Sequence, residues 1–281
     1  MGRVRINYPP SRPFSHLFGE CVPMKRLLIL ALCASAGSAA VAQDKLVTIK
    51  GQVKFNGDKA PPAKVVDVTT DKAVCCKDGD LADTQQIVDE KSLGVKNVDV
   101  WLRPDTTDRK DTFPLDKIPA ALKTAKPKEW VVDQPKCQFE PRVFAAREGD
   151  TLVFKNSASI PHNTNYSSDI ESSNVNIPAA SELKLKNPLK AQSTPITFKC
   201  DVHPWMAGRL RVFDHPYFAT TDKDGKFEIK DVPEGKWRIV YWHEDGFHKG
   251  REGAIGFPIE ASAAKPTLEL EPLKLELPKP N

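Results

Sequence analysis

At 281 residues, the chain is long enough for two domains, or for one domain carrying a large insertion. Hydrophobic residues at 40% and charged residues at 28% are the balance of an ordinary soluble protein, not of a membrane span or a disordered tail. The net charge is only +4, and no basic stripe interleaved with aromatics occurs, so nucleic acid is excluded as a favoured partner.

Met24-Lys25-Arg26, the apolar run Leu27 to Leu32 and the small-residue stretch Ala34 to Ala42 form a secretory signal. Ala40-Val41-Ala42 supplies a small-x-small cleavage site, which makes Gln43 the expected mature N-terminus and Met24 the expected true start. The apolar run is too short for a membrane span. Cys33 would be the lipid-bearing residue of a lipoprotein, but Leu32 before it is bulkier than such a site takes. The expected location is therefore periplasmic or secreted.

From residue 46 onward, strand signals dominate. Val47 to Phe55 alternates apolar residues up to the turn Asn56-Gly57-Asp58. Val95 to Leu102 sets Val98, Val100 and Leu102 on one face and Val95 and Trp101 on the other. Residues 105–136, rich in Pro, Asp, Lys and Thr, read as a linker in which Pro119 opens a short helix through Leu122. Val143 to Ala146 and Thr151 to Phe154 are strands around the turn Glu148-Gly149-Asp150, whereas Asp169 and Glu171 fall in a polar Ser/Asn-rich loop. Pro195 to Lys199 leads Ile196, Phe198 and Cys200 out on one inward face. On the next strand Leu210 and Val212 point inward and Arg209 and Arg211 face water. Thr220 to Ile229 and Lys236 to Trp242 are further strands, the latter with Trp237, Ile239 and Tyr241 on one face, and residues 272–281 read as a tail.

The chemistry concentrates in Cys200-Asp201-Val202-His203-Pro204-Trp205-Met206 and, upstream, in Ile160-Pro161-His162-Asn163. A thiolate, two imidazoles and a thioether are the ligand set of a mononuclear electron-transfer copper site, a His₂Cys plane with a weak axial Met. Once the signal is removed, Met206 is the sole methionine left, three residues after a histidine that lies three after a cysteine. The bland account is a buried Cys, a solvated His and a core Met that fall close together by chance. With Cys200 kept as a thiolate, Cys137 is left to pair with Cys75 or Cys76 in an oxidising compartment. Alternatively, the adjacent cysteines pair with each other or join another metal site, for which no neighbouring histidine exists.

With Ala207-Gly208-Arg209-Leu210-Arg211-Val212 behind it, this ligand loop resembles that of the cupredoxins, in the compact amicyanin-like form Cys-x-x-His-Pro-x-Met. The run Gly149 to Asn156, followed by Ile160-Pro161-His162-Asn163, is similar to the first-ligand region of plastocyanin. The resemblance covers roughly residues 137–213. It implies one copper ion held by His162, Cys200, His203 and Met206, with Asn163 tying the two ligand loops together. It also implies a redox partner, a c-type cytochrome or a periplasmic dehydrogenase, docking on an edge histidine, His203, in an apolar patch.

Residues 218–245 resemble instead the carboxypeptidase-regulatory, transthyretin-like β-sandwich, in Thr221-Asp222-Lys223-Asp224-Gly225-Lys226-Phe227 and the aromatic strand after Pro233-Glu234-Gly235. Gly51-Gln52-Val53 and Asn97-Val98-Asp99-Val100 come close to the opening strands of that family. The expected fold is thus all-β: a cupredoxin Greek-key sandwich plus a second, Ig/transthyretin-like one. In one arrangement, residues 46–104 and 214–271 make the second sandwich with the cupredoxin, 137–213, inserted. In the other, 46–104 supply edge strands to the cupredoxin.

The remaining histidines read more simply. His215, between Asp214 and Pro216, is a structural turn residue; His243, Glu244, Asp245 and His248 form a polar loop or, less simply, a second metal site. No Gly-x-Ser-x-Gly, phosphate loop or His-x-His pair gives an enzyme its residues, so a non-enzymatic electron carrier is expected. The alternatives are a non-redox copper-binding or structural module that recognises partners, and a cupredoxin fold without metal.

Overall fold

The computed structural model describes residues 46–278, so the signal and its cleavage site lie outside the described residues. Two strands come first, β1 (Leu46–Phe55) and β2 (Asp99–Pro104). A central block follows: β3 (Glu129–Val132), β4 (Val143–Arg147), β5 (Thr151–Asn156), β6 (His162–Ser167), β7 (Ser172–Ile177), β8 (Ser181–Lys184), β9 (Ile196–Lys199) and β10 (Ala207–Phe213). The chain ends with β11 (Phe218–Thr220), β12 (Lys226–Pro233), β13 (Gly235–His243), β14 (Gly246–Phe247), β15 (Phe257–Ala261), β16 (Thr267–Glu269) and β17 (Leu273–Leu275). Among the described residues helix is confined to single turns, including α1 (Lys72–Cys75) and α2 (Ala120–Lys123), the latter opened by Pro119 as expected. The fold is all-β.

The central block pairs with itself. One sheet runs β4-β10-β9-β6-β7 and a second β3-β5-β8. Between them lies a core that includes Phe144, Leu152, Phe154, Ile177, Phe198 and Leu210. In β9 the alternation is as read: Ile196 and Phe198 are buried and Thr197 and Lys199 exposed. Strand β7 was not visible in the Ser/Asn-rich stretch, because a polar edge strand carries no apolar alternation to betray it.

The first and last strands pair with each other across that block. β1 lies between β12 and β16 and also pairs with β17, while β2 lies between β11 and β13. Val47, Ile49, Val98, Val100, Leu102, Tyr217, Trp237 and Ile239 fill their shared core. Two stretches have more structure than their composition announced. Phe113 and Ile118, in the Pro-rich segment, are buried in this core, and Leu273–Leu275 of the tail forms β17.

The surface of β10 corrects one expectation. Arg211 does not face water: it is 6% exposed, with its guanidinium stacked 4.3 Å from the Trp242 ring and 4.9 Å from Trp101. The outer face of β10 meets the aromatic face of β2 and β13, so both faces of the strand are covered. An arginine survives there because its flat, weakly hydrated cation stacks on rings. Burial pushes its pKa down to about 10, and the same burial lifts that of Asp99 to about 7.

Candidate metal centre

Cys200 follows the last residue of β9, on the buried side that Ile196 and Phe198 establish. The chain then turns tightly into β10. The Cys200 amide donates to the Met206 carbonyl at 3.0 Å and the Met206 amide to the His203 carbonyl at 2.9 Å. This closure folds Cys200, His203 and Met206 into one turn, and all three side chains are buried. Gly208 just beyond lies against the Phe198 ring; a Cβ there would sit 2.2 Å from a ring carbon.

His162 opens β6 and comes from the other ligand loop. Asn156, fully buried at the end of β5, shapes that loop by donating to the carbonyls of Ile160 and Ile177, both at 2.9 Å, and by accepting from the Ala158 amide. Asn163 then links the loops, since its Oδ1 accepts from the Asp201 amide at 3.0 Å. That is the tie the resemblance implied.

The result is a convergence of donors. His162 Nδ1 lies 3.1 Å from His203 Nδ1, and Cys200 Sγ lies 3.6 Å from the same His203 nitrogen. Cys200 is a free thiol. With metal–nitrogen bonds of about 2.0–2.1 Å and a metal–sulfur bond of about 2.3 Å, a trigonal ion would spread such atoms about 3.5 Å (N···N) and about 3.8 Å (N···S) apart. The observed separations are already close to those. Burial, and then the neighbouring His203, push the His162 pKa down to about 4, so its ring is neutral at physiological pH and has a lone pair for a metal. His162 Nε2 is buried without a hydrogen-bond partner. Asp99 Oδ2, Gln134 Oε1 and Arg211 Nε are likewise buried without a hydrogen-bond partner, so it is the convergence of the two Nδ1 atoms and the thiol, not Nε2, that points to a metal. The donor set fits copper.

The region between β1 and β2 supplies a cap over this site. Val66, Val68, Cys75 and Leu81 pack into the core of the central block, although their neighbours in sequence belong to the other pair of sheets. The disulfide joins Cys75 to Cys137 and leaves Cys76 free, which resolves the alternative the spacing left open. A second potential donor group, Cys75, Cys137 and His203, has its sulfurs committed to that bond. The Cys137 carbonyl accepts from Trp205 Nε1 at 3.0 Å. His203 Nε2 meets Asp71 Oδ2 at 3.0 Å. This corrects the expected surface: His203 is 0% exposed, not an edge imidazole on an apolar patch, because residues 56–97 fold over it. Asp71 was invisible as a site residue in the sequence, where it is one acid among many.

The other candidate residues stay apart. His215 is buried in an aromatic nest, with Nδ1 accepting from the Tyr217 amide. His243 spends one nitrogen on the Gln85 carbonyl and the other on Asp245. Among the described residues, neither His243 nor His248 belongs to a group of His, Cys, Asp and Glu that could share an ion. Glu171 accepts from the Tyr166 hydroxyl at 2.6 Å.

No protein-family model matches the chain, and no curated protein matches it. Among solved structures, an amicyanin variant in its Cu(I) form is similar at 19% identity and a TM-score of 0.27, covering 34% of this chain and 92% of that one. A purple cupredoxin from Nitrosopumilus maritimus is similar at 17% identity and a TM-score of 0.25, covering 29% and 97%. A Cu-containing nitrite reductase from Thermus scotoductus SA-01 shares 19% identity at a TM-score of 0.28, covering 32% and 23%.

Proposed function

We infer, from the side chains themselves, that residues 137–213 with β3 in front of them are a cupredoxin unit. In this reading the protein carries electrons on one mononuclear copper ion held by His162, Cys200, His203 and Met206. The observation behind it is the meeting of two imidazole Nδ1 atoms and a free thiol at one buried point. A thiolate, two imidazoles and a soft thioether select copper over harder cations. Bound copper would supply a Cu(II)/Cu(I) couple that accepts one electron and gives it up again. The chain's part is to hold the ligands still and dry. The backbone closure of residues 200–206 fixes three of them, Asn156 and Asn163 fix the fourth, and the cap keeps water away.

A c-type cytochrome or a periplasmic dehydrogenase would serve as redox partner. It would approach His203 from the Asp71 side, where the half-exposed carboxylate reaches the surface. Redox encounters of this kind are small, under roughly 1,200 Å². The signal in residues 24–42 supports export to the periplasm or medium, where the Cys75–Cys137 disulfide persists. Residues 46–104 and 214–271 read as the regulatory-like sandwich that the cupredoxin interrupts. The pairing of β1 with β12, and of β2 with β11 and β13, supports this. That half would serve recognition.

One observation favours a second reading, copper binding without electron transfer: the His203 imidazole is covered. Copper loading followed by visible absorption and a redox titration separates the two. An intense thiolate-to-copper band with a reversible one-electron titration is expected. A copper complex without that band favours the second reading, and failure to bind copper refutes both.

A further inference from the structure

The two imidazoles of the cluster differ in what holds them from behind. His162 Nε2 has no partner. His203 Nε2 faces the Asp71 carboxylate at 3.0 Å. A neutral imidazole has one N–H, and a carboxylate only accepts. In the neutral ring the Asp71 contact therefore places the proton on Nε2 and leaves the Nδ1 lone pair directed toward His162 Nδ1 and Cys200 Sγ.

Asp71 is not placed there by chance contact. Its backbone is left-handed at φ 50°, a conformation Asp tolerates better than most residues. Its carbonyl accepts from the amides of Val74 and Cys75, both at 2.9 Å, which starts α1. Cys75 at the end of that turn is bonded to Cys137. The Cys137 carbonyl holds the Trp205 indole, and the Trp205 ring lies 5.2 Å from the His203 ring. The connections run from Asp71 through α1, the disulfide and Trp205 back to His203, and so close on themselves. A residue from a segment more than 130 positions upstream is thereby held against the imidazole it touches.

We propose that Asp71 is the positioning residue of the centre: the carboxylate that fixes the tautomer and orientation of His203 and places a negative charge behind it. Partners of this kind on a ligand's far nitrogen orient the ring and raise its basicity. The effect on copper rests on the function inferred above; the effect on the imidazole does not.

Two measurements test it with two variants, Asp71→Ala, which removes charge and acceptor, and Asp71→Asn, which keeps an acceptor oxygen without the charge. In the metal-free protein, nitrogen NMR of His203 should report protonated Nε2 in the parent and in Asp71→Asn, and mixed tautomers in Asp71→Ala. In the copper-loaded protein, Asp71→Ala should bind Cu(II) about 10- to 100-fold more weakly, and Asp71→Asn should recover most of that loss. Both variants should titrate at a higher potential than the parent, because the charge that favours Cu(II) is gone. A parent that fails to take up copper refutes the function and leaves the tautomer measurement to decide on Asp71. A blue parent whose two variants keep its affinity, potential and His203 tautomer overturns the role of Asp71 alone.

Discussion

The turn between β9 and β10 and the connection between β10 and β11 each bury a histidine, but they use its nitrogens differently. His215, in the second, has Nδ1 spent on the Tyr217 amide and its ring set 5.0 Å from Phe113 and 5.4 Å from Phe213. It is a flat, neutral wedge in a core. His203, in the first, spends Nε2 on Asp71 and keeps Nδ1 aimed at His162 and Cys200. Burial is equally deep at both places, so burial does not distinguish a site from packing. What distinguishes them is where the remaining donors and acceptors point.

The largest expected effect would break this comparison outright. Cys200→Ser removes the sulfur donor of the proposed centre and should abolish the intense blue absorption expected of the copper-loaded protein while leaving the β fold intact. His162→Ala and His203→Ala each remove one imidazole of the proposed donor set and should weaken copper binding severely, measured by competitive titration with a copper chelator. His215→Asn should leave copper binding and colour unchanged. If Cys200→Ser stays as blue as the parent, the cluster is not the centre.

A smaller effect concerns the cap. Cys75→Ser releases the loop closed between cysteines 62 positions apart and should cost about 2–4 kcal/mol in denaturant unfolding. Non-reducing peptide mapping of the parent should recover Cys75 linked to Cys137. Cys137 that alkylates fully in the native protein would refute the bond.

The parts of this arrangement that were legible in the sequence are those that are local. Cys200, His203 and Met206 fall in one seven-residue turn, and the alternation of Ile196, Phe198 and Cys200 fixes the face from which the thiol leaves. Asn163 could be read because it adjoins His162. Asp71 could not, because its role exists only once residues 56–97 have folded over a loop 130 residues away. The choice between Cys75 and Cys76 was closed to spacing for the same reason, since adjacent positions differ only in which side of α1 turns inward. Arg211 was misread because alternation along a strand identifies one buried face and says nothing of a second sheet on the other.

Met206 gives a milder test, of tuning and not of presence. In the proposed centre Met206 would supply only a weak, long thioether bond, so Met206→Leu should keep copper and colour. Loss of the soft sulfur leaves Cu(II) short of a donor, and a more apolar surrounding disfavours its higher charge. Both effects raise the potential, on the order of a tenfold change in the oxidised-to-reduced ratio at fixed poise, or about 59 mV. If Met206→Leu destroys copper binding as the histidine variants do, or leaves the potential untouched, Met206 is not axial.

The smallest effect sharpens the comparison from the other side, through pH. Burial pushes the His215 pKa down to about 3, from an ordinary value of 6.5. Below pH 6.5 the unfolded chain binds a proton at this position that the folded chain refuses, so stability falls as the pH drops. The contribution is present in full above pH 6.5 and is lost progressively from there toward pH 3. His215→Asn keeps an acceptor oxygen for the Tyr217 amide but cannot titrate. It should sacrifice some ring packing at neutral pH, about 0.5–1.5 kcal/mol, yet show a shallower decline between pH 6 and pH 4 by up to one proton. Taking the difference between parent and variant in urea unfolding cancels the carboxylates and His162, which both proteins share. Parallel pH profiles for the two would mean that His215 is not held neutral by its aromatic nest.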